Sequence, residues 1–124
     1  MTQTVEIPRD PRAPARARRV VEGLTGRIDP ALEPSVKLLV SELVTNGVKY
    51  GADGALRLQI QAPRPRQVRV EVVDQGGGFA PRPRARPATE PGGWGFHIVR
   101  SLADRWGIED GASRVWFEID REAA

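Results

Sequence analysis

The sequence contains no cysteine, which rules out disulfides and thiolate chemistry and fits a cytoplasmic protein. No apolar run approaches the ~20 residues that a membrane helix needs. The opening Met1-Thr2-Gln3-Thr4 lacks a basic segment followed by a hydrophobic stretch, so no signal peptide is expected. Lysine occurs only at Lys37 and Lys49, and the basic side is otherwise arginine. With abundant Ala, Pro and Gly, this fits a GC-rich genome. Aromatic residues make up 6% and the arginines are scattered, so the formal charge of +3 does not point to nucleic acid as the main partner.

What is present suits one soluble domain spanning residues 1–124. The chain is 40% hydrophobic and 28% charged, and its length can bury a core. Thr4 to Ile7 is a short strand candidate closed by Pro8. From Pro11, Ala13, Ala17, Val20, Val21, Leu24 and Ile28 recur at helical spacing. Pro30 and Pro34 bracket a turn and the start of a second helix, which runs to about Tyr50 and stops at Gly51. Its apolar stripe is Val36, Leu39, Val40, Leu43, Val44 and Val48. Leu56, Leu58 and Ile60, then Val68, Val70 and Val72, alternate with polar residues, predicting a hairpin turned at 63–66. Residues 80–91, rich in Pro and Arg, read as a loop. A third helix is expected from Gly92, with Phe96, Val99, Leu102, Ala103 and Trp106 on its apolar face and Gly107 at its end. Val115, Phe117 and Ile119 alternate in a closing strand. The expected architecture is α+β in two layers: about four to five strands in a mixed sheet, with three helices on one face.

Three constellations could carry chemistry. Glu42 and Asn46 are four residues apart on the second helix, about 40° apart on its surface. Lys49 falls on the same strip, off the apolar stripe. A carboxylate, a carboxamide and an ammonium can together hold a metal, a water and a phosphate, or they can form a plain solvated face. Mg²⁺ keeps its waters, so one Asn oxygen can suffice to hold it. Asp74-Gln75-Gly76-Gly77-Gly78 follows a strand. Its glycines permit close backbone approach, and its carboxylate can accept from an exocyclic amine such as that of adenine. It can equally be a turn. Gly92-Gly93-Trp94-Gly95-Phe96 runs into a helix, where free amides and the dipole favour phosphate. It fits neither the P-loop nor the G-x-G-x-x-G pattern.

The order of these three is what carries specificity. Glu42-Leu43-Val44-Thr45-Asn46-Gly47-Val48-Lys49-Tyr50 resembles the N box of the GHKL superfamily, shared by gyrase, heat-shock chaperone ATPases and histidine kinases. Asp74 to Gly78 resembles its D-x-G-x-G box, and Gly92 to Phe96 its second glycine box. Gly111-Ala112-Ser113-Arg114-Val115 is similar to its closing G-T-x-V element. Small size and Leu102-Ala103-Asp104-Arg105-Trp106-Gly107 look most like stand-alone anti-sigma-factor serine/threonine kinases. His97 is the only histidine, and no segment reads as the phosphoacceptor helix of a histidine kinase.

The resemblance implies a Bergerat-type α/β sandwich that binds ATP and Mg²⁺. Asn46 would coordinate Mg²⁺ and Glu42 would be the general base. Asp74 would bind the adenine amine, and Gly76 and Gly78 would shape the base pocket. Gly93 and Gly95, in the box closed by Phe96, would turn amides to the phosphates. Ser113 would reach the network around Asp74, Lys49 is a phosphate candidate, and residues 80–91 would be the ATP lid. The implied partner is a STAS-type anti-anti-sigma protein, with sequestration of a sigma factor and a homodimer left open. A nucleotide-dependent binding module without kinase activity and a simple ATPase are the alternatives. Three departures stand out: Gly47 where the family usually has alanine, Tyr50 for a frequent histidine, and Trp94 inside a glycine box.

Overall fold

The computed structural model describes residues 1–50, 54–74, 101–109 and 114–122, without the Tyr50 side chain. In chain order the elements are β1 (Thr2–Ile7), α1 (Ala13–Glu22), α2 (Glu33–Tyr50), β2 (Leu56–Arg64), β3 (Gln67–Asp74), β4 (Arg105–Glu109) and β5 (Arg114–Asp120). The strands form one five-stranded sheet in the order β1-β2-β3-β5-β4. Every neighbouring pair is antiparallel, so the expected mixed sheet is corrected.

The helices begin where local chemistry allows. Before α1, the Asp10 side chain accepts from the Arg12 amide at 2.8 Å, and proline sits in the first helical turn, where its missing N–H costs nothing. Before α2, Asp29 accepts from the Ala31 amide at 2.8 Å in the same way. Such side-chain turns compete with helix and so mark its start. α1 stops at Gly23, which makes Leu24 and Ile28 core residues of the connection rather than of the helix. Gly26, at φ +88°, turns the chain between the helices in a region closed to most side chains.

Alternation sends one set of strand side chains beneath the helices. Leu56, Leu58 and Ile60 of β2, Val68, Val70 and Val72 of β3, and Val115, Phe117 and Ile119 of β5 are buried there. They meet Ala13, Ala17 and Val21 of α1 and Val36, Leu39, Val40, Leu43 and Val44 of α2 in one cluster. The register stacks Leu58 against Val72 and Val70 against Phe117.

The end of the expected third helix needs correction as well, while residues 92–100, where its start is expected, lie outside the described residues. Ser101 and Leu102 are helical, but Trp106 and Gly107 belong to β4. Trp106 lies opposite Phe117 in the ladder and packs against the core from there. Among the described residues α1 and α2 are the full helical elements. No described helix is long and apolar enough to cross a membrane.

Candidate functional site

The register brings one row of residues to one end of the sheet. Ile7 at the end of β1 pairs with Leu56 at the start of β2, and Leu56 pairs with Asp74 at the end of β3. On the next strand Arg114 stands opposite Val73, one residue from Asp74. The last turns of α2 lie over the same row. A Cβ on Gly47 would meet the Leu56 side chain at 3.0 Å, so helix and strand touch with little between them.

Asn46 is the residue that the solvated-face reading of α2 misplaces. It is 6% exposed, the one buried polar residue among those described. Its amide nitrogen has no hydrogen-bond partner among the described residues. A buried donor left unpaired costs about 1–3 kcal/mol, and natural proteins keep such a group where function needs it. Glu42, one turn earlier, is half-buried, and Lys49 is exposed. The strip thus runs from buried to solvent-facing at the C-terminal end of the helix.

Asp74 is held by a residue that the sequence does not single out. The Arg9 guanidinium donates to Asp74 Oδ1 at 2.6 Å, to the Gly54 carbonyl at 2.9 Å and to the Gly47 carbonyl. The pair is largely enclosed, with side-chain exposures of 13% for Arg9 and 7% for Asp74. Gly47 offers one of the last four carbonyls of α2, which have no partner within the helix. Arg9 follows Ile7 and Pro8 with no periodic signal of its own, and its contacts are 38 to 65 residues away. Only the register of β1 against β2, and of β2 against β3, identifies it.

The structure therefore gathers Asp74, Asn46 and, through the helix, Glu42 and Lys49 around one end of the sheet. Gly76, Gly78, Gly93, Gly95, Phe96, Ser113 and the 80–91 segment lie outside the described residues. Among the described residues no three His, Cys, Asp or Glu side chains cluster as a metal cage. The donor set fits Mg²⁺ shared with phosphate oxygens, because that ion needs few protein ligands. A shallow cavity walled by Arg69, Arg105, Glu118 and Asp120 lies toward the other end of β3. Its charged side chains pair with one another, which leaves it out of the site.

No curated protein matches the sequence. Among solved structures, the fold is similar to that of the RsbU and RsbW domains of Rv1364c from Mycobacterium tuberculosis. The TM-score is 0.67 at 16% identity, over 96% of this chain and 31% of that one. At that identity the likeness is one of fold, and this chain spans under a third of the other. The profile of the histidine kinase-like ATPase domain matches residues 7–119. That stretch is nearly the whole sequence and holds all three constellations, so the chain belongs to the histidine kinase-like ATPase domain family.

Proposed function

We propose that this chain binds Mg-ATP at the end of the sheet marked by Asp74 and Asn46, and transfers the γ-phosphate to a serine or threonine of a partner protein. The observation that carries this reading is Asn46, a buried carboxamide with an unpartnered nitrogen one helical turn from a carboxylate. A stability-driven sequence would place an apolar residue there. Asn46 Oδ1 would hold Mg²⁺, which would supply positive charge against the phosphates. Asp74 accepts from the adenine amine. Glu42 accepts the proton of the attacking hydroxyl. The hydroxyl oxygen bonds to the γ-phosphorus, the bond to the β–γ bridging oxygen breaks, and ADP leaves.

The remaining roles rest on the boxes. Gly76 and Gly78 shape the base pocket, and Gly93, Gly95 and Phe96 line the phosphates. Lys49 adds positive charge, Ser113 joins the network at Asp74, and residues 80–91 form the lid of a single domain. The acceptor is a STAS-type anti-anti-sigma protein in the cytoplasm, in keeping with the fold likeness to the RsbU and RsbW domains. Phosphate added at its contact surface would weaken the complex by charge.

The test combines calorimetry with Mg-ATP and transfer of radiolabel to candidate STAS proteins. Wild type should bind and transfer, Glu42→Ala should bind without transferring, and Asn46→Ala should lose Mg-dependent affinity. Absence of nucleotide binding by wild type overturns the reading. Binding without transfer to any STAS protein reduces it to a nucleotide-dependent binding module.

A further inference from the structure

Arg9 does more at this site than balance a charge. Its three donor groups point to three separate parts of the chain: the segment before β2 at Gly54, the last turn of α2 at Gly47, and the end of β3 at Asp74. Gly47 directly follows Asn46. One planar group therefore fastens the helix that carries the proposed metal ligand to the strand that carries the proposed base acceptor. A guanidinium presents its donors in a fixed fork, whereas a lysine ammonium at the same place is a point charge with freely turning donors.

The consequence concerns which purine is bound. The final torsion of an aspartate is broad and soft, so a carboxylate with no fixed partner samples many orientations. Distinguishing a 6-amino purine from a 6-oxo purine requires an acceptor held in one direction. Buried polar groups in fixed positions are what make such discrimination large. Asp74 has one oxygen, Oδ1, committed to Arg9 at 2.6 Å within an enclosed pair.

We infer that Arg9 is a positioning residue that orients the Asp74 carboxylate and thereby sets the preference for adenine over 6-oxo purine nucleotides. The assignment rests on the proposal that Asp74 recognises the base. Arg9 touches no reacting atom in this scheme. It acts through Asp74 and, by way of Gly47, on the placement of the α2 terminus.

The experiment measures Mg-ATP and Mg-ITP affinities by calorimetry for wild type, Arg9→Gln, Arg9→Lys, Asp74→Ala and the double variant R9Q/D74A. Thermal midpoints without nucleotide are recorded alongside. ITP differs from ATP in carrying an oxo group where adenine carries the amine. Wild type should prefer ATP, and R9Q should lose about tenfold in ATP affinity while ITP changes little, the size expected for a charged hydrogen bond. R9K, which keeps the charge without the fork, should recover part of the midpoint but less of the preference. In the D74A background R9Q should leave the ratio unchanged, because the partner through which it acts is gone. An equal loss for ATP and ITP in both R9Q and R9K, tracking the midpoints, overturns the assignment and makes Arg9 a scaffold residue only. If R9Q does not fold, R9K with a wild-type ATP to ITP ratio overturns it equally. No nucleotide binding by wild type overturns the functional reading itself, and the base-choice role of Arg9 falls with it.

Discussion

The two faces of the sheet come from the same strands and are held by different physics. On the covered face Leu56, Leu58, Val70, Val72, Phe117 and Ile119 are buried beneath α1 and α2. On the open face the alternate positions carry charge. Arg69 lies 3.7 Å from Glu71 and 3.6 Å from Glu118, and Arg105 lies 2.9 Å from Glu118. Trp116 is an aromatic there, with the Arg69 guanidinium 4.2 Å from its ring centroid. Burial is non-directional and strong, whereas exposed ion pairs contribute little and are screened by salt. The covered face should therefore set stability, and the open face should tolerate change except where Trp116 packs.

Phe117→Ala tests the first half of that contrast and should have the largest effect. Phe117 is a large, fully buried side chain, paired with Val70 on one side and Trp106 on the other. Truncation should cost about 3–5 kcal/mol, read as a lower midpoint in urea unfolding with an unchanged slope. A loss below ~1 kcal/mol would mean that the core repacks freely and that stability does not come chiefly from the covered face.

Gly107→Ala tests the exception and should come next. Gly107 stands directly opposite Trp116 in the ladder, and an added Cβ would fall 2.7 Å from the indole nitrogen. Trp116 lies over a glycine on one strand and under an arginine on another, so the ring has little room to yield. Overpacking of this kind costs about 1–3 kcal/mol. Wild-type stability in G107A would show that Trp116 swings into solvent without penalty.

The covered face is far more legible in the sequence than the site is. Period-two alternation in β2, β3 and β5, and the i, i+3, i+4 stripe of α2, report directly on which side chains are buried. Strand β4 reads as helix in the sequence because Leu102 and Trp106 are spaced four apart. What makes 105–109 a strand is its pairing with β5, a tertiary fact. The neighbours of Asn46 in sequence single it out as a candidate, but they hide its burial, because a polar residue off the apolar stripe reads as solvated. Arg9 gives no sequence signal at all. Its partners come from α2, the segment before β2 and the end of β3, and nothing local distinguishes it from the other arginines. The antiparallel hairpin of β2 and β3 is readable from its turn, but the direction in which β1 pairs with β2 and β3 with β5 is not, since those partners are far apart in sequence.

Gly47→Ala places two covered-face effects in opposition, and the net change should be small. Alanine gains about 1 kcal/mol over glycine inside a helix. The new methyl would sit 3.0 and 3.1 Å from the two terminal carbons of Leu56, a buried side chain that must give by a few tenths of an ångström. The two should cancel to within about 1 kcal/mol, measured by thermal unfolding of the nucleotide-free protein. A clear stabilisation would mean that Leu56 adjusts freely. A large loss would mean that helix and strand are locked at this contact.

Acid should dissolve the open face before it touches the covered one, and with the smallest effect of all. Asp120 sits on the open face at the end of β5. Its carboxyl is held below the ordinary aspartate value chiefly because the Glu122 amide donates to it, with further help from the Gln67 side chain and from Arg105, against some loss of hydration. A carboxylate with a lowered folded value contributes stability above its unfolded value, and that contribution fades as pH drops through the folded value. The window is therefore below about pH 4. Arg105, raised mainly by Glu118 and then by Asp120, stays charged throughout this range, so the change in its pair with Asp120 comes from the aspartate. Asp120→Asn removes the charge at every pH and should flatten the Asp120 share of the acid slope while leaving stability at neutral pH almost unchanged, because the group is solvent-facing and its pairs are screened. High salt should shrink the Arg105 part of the effect but not the part due to the Glu122 amide, which is a short-range hydrogen bond at 3.1 Å. An acid slope identical in wild type and D120N would assign the loss to other carboxylates. A steep loss at neutral pH in D120N would show that the open face contributes far more than its exposure suggests.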